Sequence, residues 1–525
     1  MRLKEQIIAP TQEAFPVKKL STKQSRRNIT QRKTKVAARH AQAGHWSAQA
    51  QPMFGSGKVH YEVGGNMEAM NYGGIAPVHR LVTKLGLRAQ IDADLSLLKV
   101  HLPYHESDHV LNIAYNVLCG GTRLEDIERL RHDVAYMNAL GADLIPDPTT
   151  AGDFTRRLTE ADVLTLMESI NAIRPKLWAG RGAERLWPIA YMDIDGTIAP
   201  TSGACKAGMD ISYKGIWGYA PLIISLANTK EVLYLVNRPG NAPSHQGAAA
   251  WIDKALTHLV PYAPRVCMRG DTDFSLTKHF DQWAETVDFI FGMDSTATLR
   301  TCAEALSEDQ WSRLKRQPPD DTLPGTTRER FQENEKARIV KERGYLNLHL
   351  NDEDVAEFEY QPGKCTRPYR VVALRKNISK MKGENVLFDE IRYFFYITTR
   401  PDLSAAEVVA CANERCDQEN VIEQLKNGVN ALRLPVYDLV SNWAYMVIAA
   451  LAWNIKSWFA MMLHLKKDRD TYIRMEFRRF MNSFMLIPCR VVRQARSIVV
   501  RILGYQPTLD RLFSAWNAIE RTGFG

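Results

Sequence analysis

Alternating apolar and polar stretches between residues 187 and 293 predict a mixed α/β layer. Short apolar runs bounded by turn residues indicate buried strands, namely PIAYMDID, APLIISLAN, EVLYLVN, RVCMRGD and VDFIFGM. Helical spacing of apolar residues marks SHQGAAAWIDKALTHLV and LTKHFDQWAE, on either side of the fourth strand. The first three strands are close enough in sequence to be antiparallel.

Helical patterns flank this layer. Residues 76–180 indicate helices separated by a Gly-Gly break, an arrangement that suits either a DNA-binding helix-turn-helix or an ordinary bundle. Residues 293–400 interrupt the layer with mostly β segments such as YRVVALRK and IRYFFYITT. Helix resumes over 405–428, and residues 431–525 look helical throughout.

At 525 residues the chain is too long for one ordinary core and suggests two to four domains. We divide it into a basic arm predicted to be flexible (1–60), a helical region (61–184), the α/β layer (185–292), a β-rich insertion (293–400), a helix that completes the layer (401–430) and a C-terminal helical region (431–525).

Positive charge is concentrated at the start of the chain. The first forty residues hold eleven Lys and Arg against two Glu, which accounts for the whole formal net charge of +9. Arms of this composition bind polyanions. DNA contact is therefore expected from basic residues that include Arg26, Arg27, Arg32 and Lys33, and a solubilising tail is the alternative. A second basic stretch, 466–501, suits either a DNA surface or a solvated helix face.

Cysteine spacing and hydropathy indicate the compartment. The eight cysteines form no C-x-x-C pair, which suits a reducing cytoplasm, and the N-terminus has no apolar signal-peptide core. The most membrane-like stretch, 439–465, contains Asn442, Asn454 and Lys456. Its longest clean apolar run has 11 residues, whereas a membrane span needs about 20. We expect a cytoplasmic protein without membrane contact.

Paired aspartates end two of the predicted strands. Asp193 and Asp195 lie two residues apart on one face of a strand, and Asp271 and Asp273 follow RVCMRG. Strand ends are where α/β sites assemble. DIDGT also suits a haloacid-dehalogenase-like phosphatase with Asp193 as nucleophile. That enzyme is the rival interpretation, although Ser275 stands where its acidic motif needs a second Asp.

Two-metal phosphoryl transfer makes a different demand, because it needs about three carboxylates around two Mg²⁺ ions and no protein nucleophile. The helix predicted after the insertion offers Glu414, Glu419 and Glu423. Helical spacing also places Arg415 and Lys426 on the side of the last two glutamates. A row of solvated, salt-bridged charges is the alternative explanation.

Ordered blocks along nearly the whole chain resemble the DDE transposases of bacterial insertion sequences, most closely the branch numbered 1380. These blocks are LPYHESDHVLNIAYNVLCGGTRLEDIERLR, GADLIPDPTTAGDFTRRL, DIDGT, YKGIWGYAPL, NRPGNAPSHQGA, RGDTDF, ERCDQENVIEQLKNG and NWAYMVIAALAWNIKSW. Arg415, Glu419 and Lys426 match the superfamily pattern Tyr-x2-Arg-x3-Glu-x6-Lys, with Ala412 in place of Tyr.

The resemblance implies an RNase H-like catalytic domain interrupted by the β-rich insertion and flanked by helical regions. It implies Asp195, Asp271 and Glu419 as catalytic residues that hold two Mg²⁺ ions, with Mn²⁺ as a substitute. Arg415 and Lys426 would contact DNA phosphates. Three further acidic residues stand beside these positions as candidate supporting groups: Asp193, Asp273 and Glu423. Asp273 equally suits a tolerated surface change.

The same resemblance implies the function. The chain is expected to bind the terminal inverted repeats of its own insertion sequence in double-stranded DNA and to move the element by cut-and-paste strand cleavage and transfer. A homodimer would act on paired ends in the bacterial cytoplasm, at the nucleoid when bound to DNA. An inactive remnant that binds DNA without cutting it is the non-enzymatic alternative.

Overall fold

The structure is a computed structural model. It describes residues 22–43, 60–61, 68–101, 103–179, 187–203, 206–315, 343, 346–382, 385–494 and 497–524. The basic residues before position 22 that were predicted to bind DNA lie outside the described residues.

Helices dominate the N-terminal region. In chain order its elements are α1 (Thr22–Ala43), β1 (Ala69–Met70), α2 (Ile75–Leu85), α3 (Leu87–Asp94), α4 (Glu106–Leu118), α5 (Ile127–Arg131), α6 (Val134–Leu140), α7 (Pro148–Arg157), α8 (Glu160–Ala172) and α9 (Arg174–Ala179). Asp133, Asp147 and Thr159 start α6, α7 and α8 by accepting a backbone N–H from the first turn of each helix.

The first of these helices lies within the predicted basic arm. Residues 22–43 form α1, because their Gln, Arg, Lys and Ala residues favour helix. The side chains of Arg26, Arg27, Arg32 and Lys33 are exposed on it. Arg32 also donates a hydrogen bond to the Leu503 carbonyl. This part of the arm is therefore helical and contacts the C-terminal region.

The central region forms a mixed sheet. Its elements are β2 (Ala190–Gly196), β3 (Ala199–Pro200), β4 (Asp210–Ile211), β5 (Trp217–Tyr219), β6 (Leu222–Leu226), β7 (Glu231–Val236), α10 (Ala248–Leu259), β8 (Val266–Gly270), α11 (Phe280–Trp283) and β9 (Asp288–Met293). Five strands lie in the order β7-β6-β2-β8-β9. β6 is antiparallel to β7 and β2, and β8 is parallel to β2 and β9. This is the RNase H-like arrangement, so the predicted α/β fold class is confirmed.

The β-rich insertion continues this sheet. Its elements are α12 (Ala297–Glu304), β10 (Ser312–Arg313), β11 (Leu346–Tyr360), β12 (Tyr369–Lys382) and β13 (Asn385–Thr398). β13 pairs antiparallel with β9, and the described strands extend the sheet in the order β10-β11-β12-β13-β9. The region is β-rich as predicted, and it shares its core with the α/β layer, because Val371, Ala373 and Ile397 are buried in the same apolar cluster.

The C-terminal region is mostly helical. Its elements are α13 (Ala405–Glu414), α14 (Cys416–Glu423), α15 (Leu439–Met461), α16 (Lys466–Arg474), α17 (Phe477–Phe480), β14 (Cys489–Gln494), β15 (Ser497–Ile502) and α18 (Leu509–Arg521). The prediction of helix throughout is wrong at β14 and β15, which form an antiparallel hairpin. Their Val and Ile residues favour strand, and β14 also pairs with β1.

Helix α15 lies at the centre of the molecule. Every residue from Ser441 to Met461 is buried, and Asp438 accepts the Ser441 N–H at 2.8 Å to cap the helix. α15 packs against α4, α7, α8 and β7, within an apolar core whose members range from Met70 to Phe524. The stretch 439–465 is therefore built around a core helix. Among the described helices, none combines the length and apolarity needed to cross a membrane.

Candidate active site

Two parallel strands bring two aspartates to one edge of the sheet. Asp195 is next to last in β2, and Asp271 directly follows Gly270, the last residue of β8. The register pairs Asp193 with Arg269, so Asp195 and Asp271 each follow this pair by two residues. Since the carboxyl ends of parallel strands meet at the same edge, both carboxylates lie at the same end of the sheet.

The Asp195 carboxylate is engaged at both oxygens. Oδ1 accepts the Gly196 N–H at 2.7 Å, and Oδ2 accepts a hydrogen bond from Arg415 Nη1 at 3.1 Å. Burial raises the pKa of Asp195 to about 6. The Arg415 charge opposes this shift, whereas the negative charges of Asp271 and Glu419 add to it. Asp195 is thus a desolvated carboxylate with one basic partner and two acidic neighbours.

Asp271 begins a short turn of 3₁₀ helix. Its Oδ1 accepts the Asp273 N–H at 3.1 Å. Burial raises the pKa of Asp271, Arg415 lowers it, and Asp273 and Asp294 raise it further. The exposed Asp294, which the sequence did not single out, follows β9 as Asp271 follows β8. That shared placement after neighbouring parallel strands was the signal for it.

Glu419 reaches the site from helix α14, which packs on β2. The preceding residue, Gln418, is buried and accepts a hydrogen bond from Ser225 Oγ of β6. Val421 and Ile422 bury the apolar side of the helix. Glu419 itself is exposed and close enough to raise the pKa of Asp195. The structure thus brings Asp195, Asp271 and Glu419 into one electrostatic neighbourhood.

Two basic residues share this neighbourhood. Arg415 stands between α13 and α14, so the helix predicted over 405–428 is divided there. Lys426 lies in a wide π-type turn, Gln424–Gly428. Burial lowers the pKa of Lys426, Glu423 raises it, and Asp195 raises it as well. Glu423 is exposed and accepts a hydrogen bond from Asn427 Nδ2 at 2.6 Å.

Asp193 is buried away from solvent. Its side chain is 1% exposed, and its two oxygens accept hydrogen bonds from Arg269 Nε at 2.7 Å and Nη2 at 3.0 Å. Arg269 Nη1 also donates to the Cys411 carbonyl and to Glu414 Oε2, both at 3.1 Å. The pair therefore ties β2 and β8 to α13. A carboxylate held this way cannot attack a phosphate, which contradicts the phosphatase interpretation.

We expect Asp193→Asn to destabilise the protein by about 3 kcal/mol, because it breaks the buried ion pair and leaves Arg269 paired with the exposed Glu414, while Asn still accepts one hydrogen bond. Chemical denaturation followed by circular dichroism measures the loss. Glu414→Gln is the matched control, since the Glu414 side chain is 68% exposed and exposed pairs contribute less than about 1 kcal/mol. Equal losses of stability in both variants would contradict a structural role of the buried Asp193–Arg269 ion pair.

A separate group of metal-type ligands lies far away in sequence. Among the described residues, the ligand atoms of His101, His105 and Glu106 fall within 4.8 Å of one another, whereas no such group contains the three carboxylates of the candidate active site. Glu106 already accepts the N–H groups of Leu97 and Leu98, both at 2.9 Å, and lies 3.0 Å from His101 Nε2. The two imidazoles stack. The hydrogen bonds of this group explain it as a structural contact that fixes the loop around Leu97 and Leu98 to α4.

The fold is RNase H-like, with Asp195 and Asp271 at one edge of the sheet and Glu419 on a helix that packs on β2. The family model described as Transposase DDE domain group 1 matches residues 54–524. The chain belongs to this family of transposases. The narrower assignment to the branch numbered 1380 stays a prediction.

The chain is similar to a cryo-EM structure of a piggyBac transposase synaptic complex with hairpin DNA, at 11% identity and a TM-score of 0.32 over 80% of this chain and 83% of that one. No protein with a curated description matches the chain.

Proposed function

We propose that this transposase cleaves and joins DNA strands at the ends of its own insertion sequence by two-metal phosphoryl transfer. The observation that supports the proposal is the placement of Asp195, Asp271 and Glu419 around one edge of the sheet. Two come from the ends of parallel strands, and the third comes from a helix packed on the same sheet. The charges of Asp271 and Glu419 both act on Asp195.

These three carboxylates suit divalent metal ions, Mg²⁺ or Mn²⁺, because such ions prefer hard oxygen ligands. Burial raises the pKa of Asp195 and of Asp271, so the site holds desolvated negative charge that a cation would compensate. Asp195, Asp271 and Glu419 would hold two ions. When bound, such ions lower the pKa of an attacking oxygen and stabilise the leaving oxygen.

Basic residues would position the DNA. Arg415 and Lys426 stand beside the carboxylates, where they would bind phosphates that flank the scissile bond. Farther along the duplex, contacts would come from the exposed basic residues of α1, which are Arg26, Arg27, Arg32 and Lys33. Phosphate contacts of this kind make affinity fall as salt rises.

The proposed reaction is cut-and-paste movement of an element whose terminal inverted repeats the protein binds, with a homodimer on paired ends. We place it in the bacterial cytoplasm, at the nucleoid when DNA is bound. The presence of all three acidic residues supports an active enzyme over an inactive remnant.

The test is cleavage of a labelled duplex that carries the terminal inverted repeat, with Mg²⁺ or Mn²⁺. Asp271→Asn should reduce cleavage to background, because the neutral side chain still caps the following turn but loses the charge that would hold a metal ion. Asp273→Asn is the matched control. It should cut near the wild-type rate, because Asp273 is exposed and its backbone N–H contacts Asp271.

Two results would contradict the proposal. One is a wild-type protein that cuts no strand of the duplex with either ion. The other is unchanged cleavage by Asp271→Asn, with unfolding of both variants checked by circular dichroism.

A further inference from the structure

Arg415 occupies a distinctive place in the candidate active site. Its side chain is 18% exposed, and Nη1 lies 3.1 Å from Asp195 Oδ2. The other oxygen of Asp195 accepts the Gly196 N–H. Both oxygens of the central carboxylate are therefore already bound by hydrogen-bond donors. The same guanidinium is close enough to lower the pKa of Asp271, so its positive charge acts on two of the three proposed ligands.

A guanidinium and a divalent ion would compete for the Asp195 carboxylate. A metal ion bound to Asp195 and Asp271 would lie beside the guanidinium, and like charges repel strongly in a partly desolvated site. Arg415 also stabilises the charged form of Asp195, which is what a metal ion would do. In the DNA-free chain the guanidinium thus supplies the compensating positive charge.

The backbone of Arg415 is held by hydrogen bonds on both sides, whereas its side chain is held through Asp195. The residues just before it are held by Arg269, which donates to the Cys411 carbonyl and to Glu414 Oε2. On the other side, the Gln418 N–H donates to the Arg415 carbonyl at 2.8 Å. The contact with Asp195 is the one side-chain hydrogen bond described for Arg415. A DNA phosphate is a strong alternative acceptor for a guanidinium.

We propose that, without DNA, Arg415 occupies the Asp195 carboxylate and so weakens metal binding there. When DNA binds, the Arg415 side chain transfers from Asp195 to a DNA phosphate, and the carboxylate becomes available to a metal ion. Metal ions then bind tightly only together with DNA, and by thermodynamic reciprocity metal ions strengthen DNA binding by the same factor. This inference rests on the proposed function, because it takes Asp195 and Asp271 as metal ligands. It adds that Arg415 couples the two binding steps.

The test measures Mn²⁺ binding to the full-length protein by isothermal titration calorimetry, without DNA and with a pre-cleaved element end. That DNA carries a 3′-dideoxy terminus, which leaves neither a bond to cut nor a hydroxyl to attack. Without DNA, Arg415→Gln should bind Mn²⁺ about tenfold more tightly than the wild type, a factor within the usual range for coupled sites. Adding DNA should tighten Mn²⁺ binding by the wild type and leave the affinity of the variant nearly unchanged.

The matched control is Arg433→Gln, which removes the same charge nearby in sequence. Arg433 is exposed and donates to the Thr122 carbonyl rather than to a carboxylate. This variant should bind Mn²⁺ as the wild type does, which separates a local effect from a change in net charge. Arg415→Lys should restore part of the DNA dependence, because it keeps a positive charge.

Equal Mn²⁺ affinity of the wild type and Arg415→Gln without DNA would overturn the inference alone, provided that the wild type binds Mn²⁺ with DNA. A wild type that binds no Mn²⁺ even with DNA would overturn the proposed function, and the inference with it. Thermal unfolding of each variant shows that the proteins compared are folded.

Discussion

Glu419→Gln should lower the rate of DNA strand cleavage about 1000-fold with Mg²⁺. Metal ions contribute several kcal/mol of charge stabilisation in reactions of this type, and each 1.36 kcal/mol corresponds to a factor of ten in rate. Gln has nearly the same shape as Glu but no charge, so the variant would lose metal affinity while α14 stays docked through Gln418 and Val421. Single-turnover cleavage of a labelled element end measures the effect.

Glu423→Gln is the control for this change. Glu423 lies one helical turn further along, is exposed and accepts a hydrogen bond from Asn427. It should cut at nearly the wild-type rate, because its charge acts on Lys426 and, within the part of the chain that the structure describes, no contact joins it to Asp195 or Asp271. A similar loss in both glutamine variants would show that the charge of this helix matters in general, and Glu419 would lose its assigned role.

The second large effect is expected at Glu231, where several buried donors meet. Arg174 Nη1 and Trp458 Nε1 donate to Glu231 Oε1 at 2.6 Å and 2.7 Å, and Thr229 Oγ1 donates to Oε2 at 2.6 Å. Arg174 and Glu231 are 1% and 0% exposed. Because α9, β7 and α15 each supply one of these groups, the cluster joins the N-terminal helices to the catalytic sheet and the central helix.

Glu231→Gln should therefore destabilise the protein by about 5 kcal/mol, since it leaves the Arg174 charge buried and places an amide donor among other donors. The midpoint of urea unfolding measures the loss. Glu520→Gln is the control: its partner Arg80 lies 2.7 Å away at the surface, and such pairs contribute less than about 1 kcal/mol. Combining Arg174→Met with Glu231→Leu should recover much of the stability, because no charge is then left uncompensated.

Local patterns predicted the parts of the fold that depend on local chemistry. The strands around APLIISLAN and EVLYLVN were recognisable because nearly every residue is apolar, and in the structure every residue of β6 and β7 is buried. The buried helix at 439–465 could be told from a membrane span by its polar residues. Asn454, one of them, exchanges hydrogen bonds with the backbone of Val232.

Other features depend on partners that are distant in sequence. The hairpin of β14 and β15 was mistaken for helix, since its strand state is supported by pairing with β1, more than 400 residues earlier. The sequence predicted a β-rich insertion but not its place in the sheet, because nothing in its own residues reveals that β13 pairs with β9. The break at Arg415 was invisible in a helical pattern that continues on both sides.

Local composition was enough to place Asp193, Asp195 and Asp271 at the ends of apolar strands, because two-residue periodicity and burial follow from it. Local composition does not show which aspartate is buried and which is accessible. That depends on the tertiary structure, which places Arg269 beside Asp193 and Arg415 beside Asp195. Strand register is the physical reason: parallel pairing of β2 with β8 places the buried arginine level with the first aspartate and leaves the second at the sheet edge.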